Sequence, residues 1–109
     1  MKIPEEGTLL RIFIGESDRL DGKTLYEAIV LKARELHLAG ATVFRGIMGY
    51  GKHSLVHTAK WEALSTDLPI VIELVDSEEK IRESTSSITM GRSVERASHL
   101  AVCTRLCLP

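Results

Sequence analysis

Residues 41–73 read ATVFRGIMGYGKHSLVHTAKWEALSTDLPIVIE, and this stretch decides the fold. Residues 41–48 are rich in β-branched and apolar side chains, which is typical of a strand, and the glycines that follow should end it. Residues 69–75 predict another strand, with proline at the first position, where a strand tolerates it best. The residues between them show neither alternation nor a helical stripe. We therefore predict a long loop, and a loop of this length inside a compact domain is usually functional.

The segment before this stretch predicts a strand followed by a helix. Residues 9–14 form an apolar run that Gly15 ends, and its alternate positions are largely apolar on both faces. Thr24 and Glu27 have the spacing of a capping box, and Gly40 is a natural helix stop. Between them apolar residues recur at helical spacing, at Leu25, Ile29, Ala33 and Leu36. These signals predict one amphipathic helix.

The segment after the stretch predicts a second helix and a final strand. Asp76 and Ser77 offer a cap, and acidic residues occupy the first turn, where the helix dipole favours them. We expect this helix to end early, because residues 84–87 are Ser and Thr, which are poor interior helix formers. Residues 99–108 have apolar residues at even spacing and predict a last strand.

The order of elements is therefore β-α-β, a long loop, and β-α-β. This order predicts an α+β fold of the ferredoxin-like kind, an antiparallel four-stranded sheet with both helices on one face. The first and third strands are apolar on both faces, so the helix-free face of the sheet would expose a hydrophobic patch that a monomer rarely tolerates. We expect other copies of the chain to cover that face.

Composition narrows the class of protein. The chain has 109 residues, the size of one domain, and we expect residues 1–109 to form a single domain. The formal net charge is −1, so there is no basic field that would favour nucleic acid. No apolar run approaches the length of a membrane span, and the N-terminus lacks signal-peptide character. Cys103 and Cys107 have no disulfide-framework spacing. These features predict a cytoplasmic protein.

The base of the long loop carries the signal for a ligand. Gly46, Gly49 and Gly51 allow positive φ and the close approach of a ligand, while Arg45 and Lys52 supply positive charge, a combination that suits an anion. The alternative is that the glycines only shape the exit from a strand. Residues 15–24 imitate a phosphate-binding P-loop, but the spacing of their glycines is too long and acidic residues lie between them, so we reject that interpretation.

Several of these features together carry a family resemblance. A strand, then Gly49-Tyr50-Gly51, then a long loop and Leu68-Pro69 opening a strand resemble the PII signalling superfamily, in which a similar motif leads into the T-loop. The closest resemblance is to an uncharacterised PII-like branch often encoded beside genes for predicted fluoride exporters. The resemblance covers about residues 9–83, whereas residues 85–109 are an atypical tail. It rests on five blocks: residues 10–16, 22–23, 45–51, 57–58 and 68–76.

The resemblance implies a function. It implies a ferredoxin-like homotrimer that binds an adenine nucleotide (AMP, ADP or ATP) in clefts between subunits and signals to a partner through residues 49–67. A membrane transporter or channel is a candidate partner, and nucleic acid is not expected. The residues that the resemblance assigns to the nucleotide are Gly49, Tyr50, Gly51 and Lys52, with Arg45 and Gly46 added by the closer branch.

Two other classes of function have weaker signals. His53 and His57 lie four residues apart and could bind copper or zinc with help from Cys103 or Cys107, as in a copper-tolerance branch of the same superfamily. For catalysis, Ser54 and the two histidines have no positioned acid nearby in sequence. We therefore predict that the chain is not an enzyme, and metal binding remains the alternative function.

Overall fold

The computed structural model describes residues 6–50, 56–59, 67–89 and 101–107. Its elements, in chain order, are β1 (Glu6–Gly15), β2 (Arg19–Leu20), β3 (Lys23–Thr24), α1 (Leu25–Glu35), β4 (Gly40–Arg45), β5 (Met48–Gly49), β6 (His57–Thr58), β7 (Pro69–Asp76), α2 (Glu78–Thr89) and β8 (Ala101–Cys107).

The main sheet has four strands in the order β4-β7-β1-β8, and every neighbouring pair is antiparallel. The central strands β1 and β7 run side by side from Thr8↔Asp76 to Gly15↔Pro69. The predicted last strand is present as β8, which pairs with the free side of β1. This order and the two β-α-β units confirm the α+β, ferredoxin-like prediction.

Both helices pack on one face of the sheet, as predicted. Residues of even number in β1 and β7 point to that face, because side chains alternate along a strand. The most deeply buried of them, Ile72 and Leu74, have no exposed surface. The core that they form with the helices contains Leu10, Ile12, Ile14, Leu25, Ile29, Ala33, Leu38, Ile70, Ile72, Leu74, Ile81 and Ile88.

The predicted capping box at the start of α1 is wrong. Thr24 precedes the helix with an extended backbone (ψ 142°) and makes no side-chain cap hydrogen bond. Its Oγ1 is buried without a partner. The reason is the β2–β3 hairpin, which sequence analysis missed: its turn has positive φ at Asp21 and Gly22 and delivers Thr24 to the helix as the end of a strand. The Leu25 amide instead donates to the Asp18 carbonyl at 2.7 Å.

The end of α1 also differs from the prediction. The helix ends at Glu35, and His37 takes the left-handed conformation (φ 59°) that was expected of Gly40. The amides of His37 and Leu38 donate back to the carbonyls of Arg34 and Ala33, both at 3.0 Å, which satisfies the last turn before the chain reverses. Gly40 is therefore not needed to end the helix, and it is the first residue of β4.

The second helix is longer than predicted. Ser77 caps it as expected, since its Oγ accepts the Lys80 amide at 3.3 Å, but α2 continues to Thr89. The hydroxyl of Thr85 donates to the carbonyl of Ile81 at 2.7 Å, so it finds a partner inside the helix. Buried Ser84 and Ile88 then hold the later turns against the core.

The predicted strand over residues 41–48 is interrupted. β4 ends at Arg45, the chain bends at Gly46 and Ile47, and β5 then pairs with β6 rather than with the main sheet. The stretch predicted to be a loop without secondary structure thus contains β6. Residues 51–55 and 60–66 of that loop lie outside the described part of the chain.

The helix-free face of the sheet carries an apolar row across three strands, with aromatic side chains on β1 and β4. Phe13 and Phe44 both face Val71 in the strand register, and their exposed fractions are 39% and 50%. Beside this row, Arg11 forms an ion pair with Glu73 across the central strands at 2.6 Å. This face is a mainly apolar patch with a paired charge beside it. That other copies cover it remains a prediction.

The assembly prediction can be tested with one variant on this face. Phe44→Asp should convert a homotrimer into a smaller species, because it places a charge in the apolar patch that we expect to be buried between copies. Light scattering at micromolar concentration measures the mass. Leu31→Asp is the matched control, since Leu31 is 41% exposed but lies on α1, and it should leave the mass unchanged. A monomeric, folded wild-type chain would remove the prediction.

Candidate functional site

The three segments that surround the entrance of the long loop meet at one end of the sheet. Gly15 at the end of β1 pairs with Pro69 at the start of β7, and Arg45 at the end of β4 pairs with Ile70. We call residues 15–18, 45–50 and 67–69 the loop base. The sequence-predicted site residues Arg45, Gly46, Gly49 and Tyr50 all belong to it, whereas Gly51 and Lys52 lie outside the described residues.

Hydrogen bonds fix the turn after β1 to the segment before β7. The Glu16 amide donates to the Leu68 carbonyl at 2.9 Å, and the Ser17 amide donates to Asp67 Oδ1 at 2.8 Å. Asp18 Oδ2 accepts the Gly15 amide at 2.9 Å. Asp67 and Asp18 were not predicted as site residues, because single acidic residues within a few positions of a glycine or proline look like ordinary turn residues in a sequence. They tie the turn after β1 to the rest of the loop base.

Arg45 is held by a carboxylate of the protein. Its Nε lies 2.7 Å from Glu16 Oε2, and its Nη2 donates to Glu16 Oε1 at 3.2 Å, so two donors face two oxygens. The Arg45 side chain is 61% exposed and that of Glu16 is 23% exposed. Sequence analysis included Glu16 in a family block without giving it a role, since nothing in the sequence brings residue 16 next to residue 45.

The reason for glycine at positions 46 and 49 of the loop base differs from the prediction. Gly22 is the only glycine of the described residues with positive φ, so Gly46 and Gly49 do not use that freedom. A Cβ on Gly46 would lie 2.7 Å from Pro69 Cγ and 3.2 Å from the Pro69 carbonyl oxygen, and a Cβ on Gly49 would lie 3.0 Å from Pro69 Cγ. A Cβ at position 46 would therefore force Pro69 or the chain beside it to shift, and a Cβ at position 49 would be tight against the same ring. A contact of Gly46 or Gly49 with a ligand remains a prediction.

The amide of Gly46 is already used, because it donates to the Pro69 carbonyl at 2.7 Å. Beyond it, the chain exposes apolar side chains as it enters β5. Tyr50 is 73% exposed and Ile47 is 80% exposed. Among the described residues, the loop base is therefore an open surface, with one paired cation and an exposed aromatic ring.

The other candidate sites have less support. His57 lies in β6, His53 falls outside the described residues, and within residues 6–50, 56–59, 67–89 and 101–107 no three His, Cys, Asp or Glu side chains are grouped to hold a metal. An open cavity of about 530 Å³ lies at the opposite end of the sheet, where His37, Asp76 and Lys80 contribute to its lining. The segment that imitates a P-loop, residues 15–24, contains the β2–β3 hairpin, with Gly22 in its turn.

Comparison with known proteins identifies the family of this sequence. The model of the DUF190 family, described as "Uncharacterized ACR", matches residues 7–93. The chain belongs to the DUF190 family. A UPF0166 protein of Aquifex aeolicus is 44% identical over 80 residues, which cover 73% of this chain and 76% of the relative. None of the helices in the described ranges has the length and apolar character needed to cross a membrane.

Solved structures agree with the fold. A PII-like signalling protein of Thermus thermophilus has a TM-score of 0.61 at 17% identity, over 93% of this chain and 87% of the other. CPII of Thiomonas intermedia, solved with ADP and bicarbonate, has a TM-score of 0.66 at 16% identity, over 93% and 86%. The family match and these likenesses confirm the predicted PII-like resemblance.

The packing of Gly46 on Pro69 gives a stability prediction. Gly46→Ala should lower the free energy of unfolding by about 1 to 3 kcal/mol, because the added methyl group overpacks against a backbone carbonyl and a proline ring. Gly40→Ala is the matched control in the same strand, since a Cβ there meets nothing within 4 Å. Urea denaturation of both variants measures the difference. Equal stability of the two variants would contradict the close packing.

Proposed function

We propose that this chain is a PII-like regulatory protein that binds an adenine nucleotide at the loop base and signals the occupancy of that site to a partner through residues 49–67. The observation that carries the proposal is the position of Arg45 at the junction of the turn after β1, the end of β4 and the start of the long loop. A ligand held there touches the segments that set the direction of the loop.

The phosphates of a nucleotide would supply the negative charge that such a site binds. Arg45 and Lys52 would bind them as cations, and an arginine fork suits phosphate as well as it suits carboxylate. Gly49, Tyr50 and Gly51 would approach the ligand with their backbone. Gly46 would act through its position, because its amide is already bonded to Pro69. The ADP in the CPII structure supports the choice of an adenine nucleotide, and AMP, ADP and ATP are all candidates.

A second copy of the chain would complete the site. Small-molecule sites bury most of their ligand, whereas Arg45 and Tyr50 are largely exposed in the single chain. The apolar helix-free face, with Phe13 and Phe44, continues toward this end of the sheet through the strand that ends at Arg45. We therefore propose a homotrimer with the nucleotide in clefts between neighbouring copies.

The proposed protein is a sensor in the cytoplasm and not an enzyme. The ligand acts by its difference in affinity for two arrangements of the loop, which is what any ligand-driven switch requires. A membrane transporter or channel is the proposed class of partner, and the long loop is the segment proposed to contact it. The proposed role of the loop base requires only that the ligand binds and dissociates.

Calorimetric titration with ADP tests the site. We expect saturable binding without turnover, and Arg45→Ala should weaken it about tenfold because a charge-assisted contact to phosphate is lost. The loss should shrink as salt concentration rises. Arg82→Ala is the matched control, since Arg82 forms a similar surface ion pair, 2.7 Å from Glu78, on α2. Equal loss in both variants, or the absence of binding to the wild-type chain, would exclude the proposed site.

Gly51 and Lys52 provide a separate test of the glycine motif. Gly51→Val should weaken ADP binding by roughly ten- to a hundredfold, because a side chain there would clash with the ligand or strain the backbone by about 1 to 3 kcal/mol. Lys52→Ala should cost less and should depend on salt. Thermal unfolding of the same variants is the control. Unchanged ADP affinity in both variants would end the claim that this motif holds the ligand.

A further inference from the structure

We infer that Glu16 is a built-in competitor of the ligand: its carboxylate occupies the Nε–Nη2 edge of the Arg45 guanidinium, and an anion must displace it to bind that edge. This inference rests on the proposed function, since it concerns the same arginine. It assigns a role to Glu16 that neither the sequence pattern nor the family match provides.

In this pair, the Glu16 carboxylate contacts Arg45 in the way that a bound phosphate would. Two donors of Arg45, Nε and Nη2, face the two oxygens of Glu16 at 2.7 and 3.2 Å. A phosphate binds a guanidinium through the same planar edge and the same pair of donors. Because one edge of the fork cannot serve two anions at once, the carboxylate and a phosphate compete for it.

The two partners differ in how firmly the protein holds them. The Glu16 amide is bonded to the Leu68 carbonyl, and the residues on either side of Glu16 are bonded to Asp18 and Asp67. Arg45 ends an edge strand of the sheet, and its long side chain is 61% exposed. Arg45 is therefore the member of the pair that moves to a ligand, while Glu16 stays in place.

The competition has a mechanical consequence. In the paired state the contact joins the turn after β1 to the end of β4, two segments that are 29 residues apart in sequence. When Arg45 turns to a ligand, this link opens beside the point where the chain enters the long loop. An exposed ion pair contributes little free energy, so the exchange is reversible and tunes the affinity without blocking the site.

Glu16→Gln tests the inference, because it keeps the size of the side chain and removes its charge. We expect ADP to bind about three- to fivefold more tightly to Glu16→Gln than to the wild-type chain, in calorimetric titrations at low salt. Glu78→Gln is the matched control, since Glu78 pairs with Arg82 at 2.7 Å on α2, and it should leave the affinity unchanged.

A double-mutant cycle separates competition from simple repulsion between Glu16 and the phosphates. In an Arg45→Ala background, Glu16→Gln should no longer tighten binding, because the fork for which the two anions compete is gone. A gain that persists there would overturn the inference in favour of repulsion. Equal ADP affinity of the wild-type chain and Glu16→Gln would also overturn it while leaving the proposed function standing.

Pyrophosphate, used as a probe without adenine, distinguishes the remaining outcomes. If ADP binds neither the wild-type chain nor Glu16→Gln, the proposed nucleotide function fails. Tighter pyrophosphate binding to Glu16→Gln that depends on Arg45 would then still support the competition at that arginine. Pyrophosphate binding that Glu16→Gln does not alter would overturn the inference as well.

Discussion

The antiparallel ladder between β1 and β7 is the constraint on which the rest of the structure depends. It aligns Thr8 with Asp76 at one end and Gly15 with Pro69 at the other. Its even-numbered side chains form the floor on which both helices pack, and its two outer sides carry β4 and β8. Since β1 and β7 are separated by the first helix and the long loop, this pairing also decides which distant segments become neighbours.

The most important of the distant segments that become neighbours are those of the loop base. It forms because Gly15 and Pro69 end the same ladder and Arg45 ends the strand beside it. Asp67 and the Leu68 carbonyl then hold the turn after β1, and the Pro69 carbonyl holds Gly46. The chain therefore enters and leaves the long loop through segments that are hydrogen-bonded to one another. Segments tied together around a cation suit the proposed anion site, because less order has to be created on binding.

Charge at the loop base is balanced within the chain itself. Glu16 satisfies Arg45 in the absence of a ligand, which avoids an isolated cation in a region of exposed apolar residues such as Ile47 and Tyr50. Under the proposed competition, the affinity for an anion would depend on a residue that is far away in sequence. A search for clusters of positive charge in the sequence finds Arg45 and Lys52 but has no means of finding Glu16.

The sequence by itself determined the elements of the sheet and the family. Apolar runs located β1 and β7 and even spacing located β8, because these signals are local and depend only on side-chain type and period. The resemblance of the segment from Gly49 to Pro69 to a known superfamily indicated the PII-like fold. Only the tertiary structure decided that Gly46 and Gly49 are small to pass Pro69, that His37 rather than Gly40 ends α1, and that Glu16 meets Arg45. The first and the last of these depend on which strands lie side by side, whereas the end of α1 depends on the backbone hydrogen bonds of its last turn. A single sequence contains no direct measure of either.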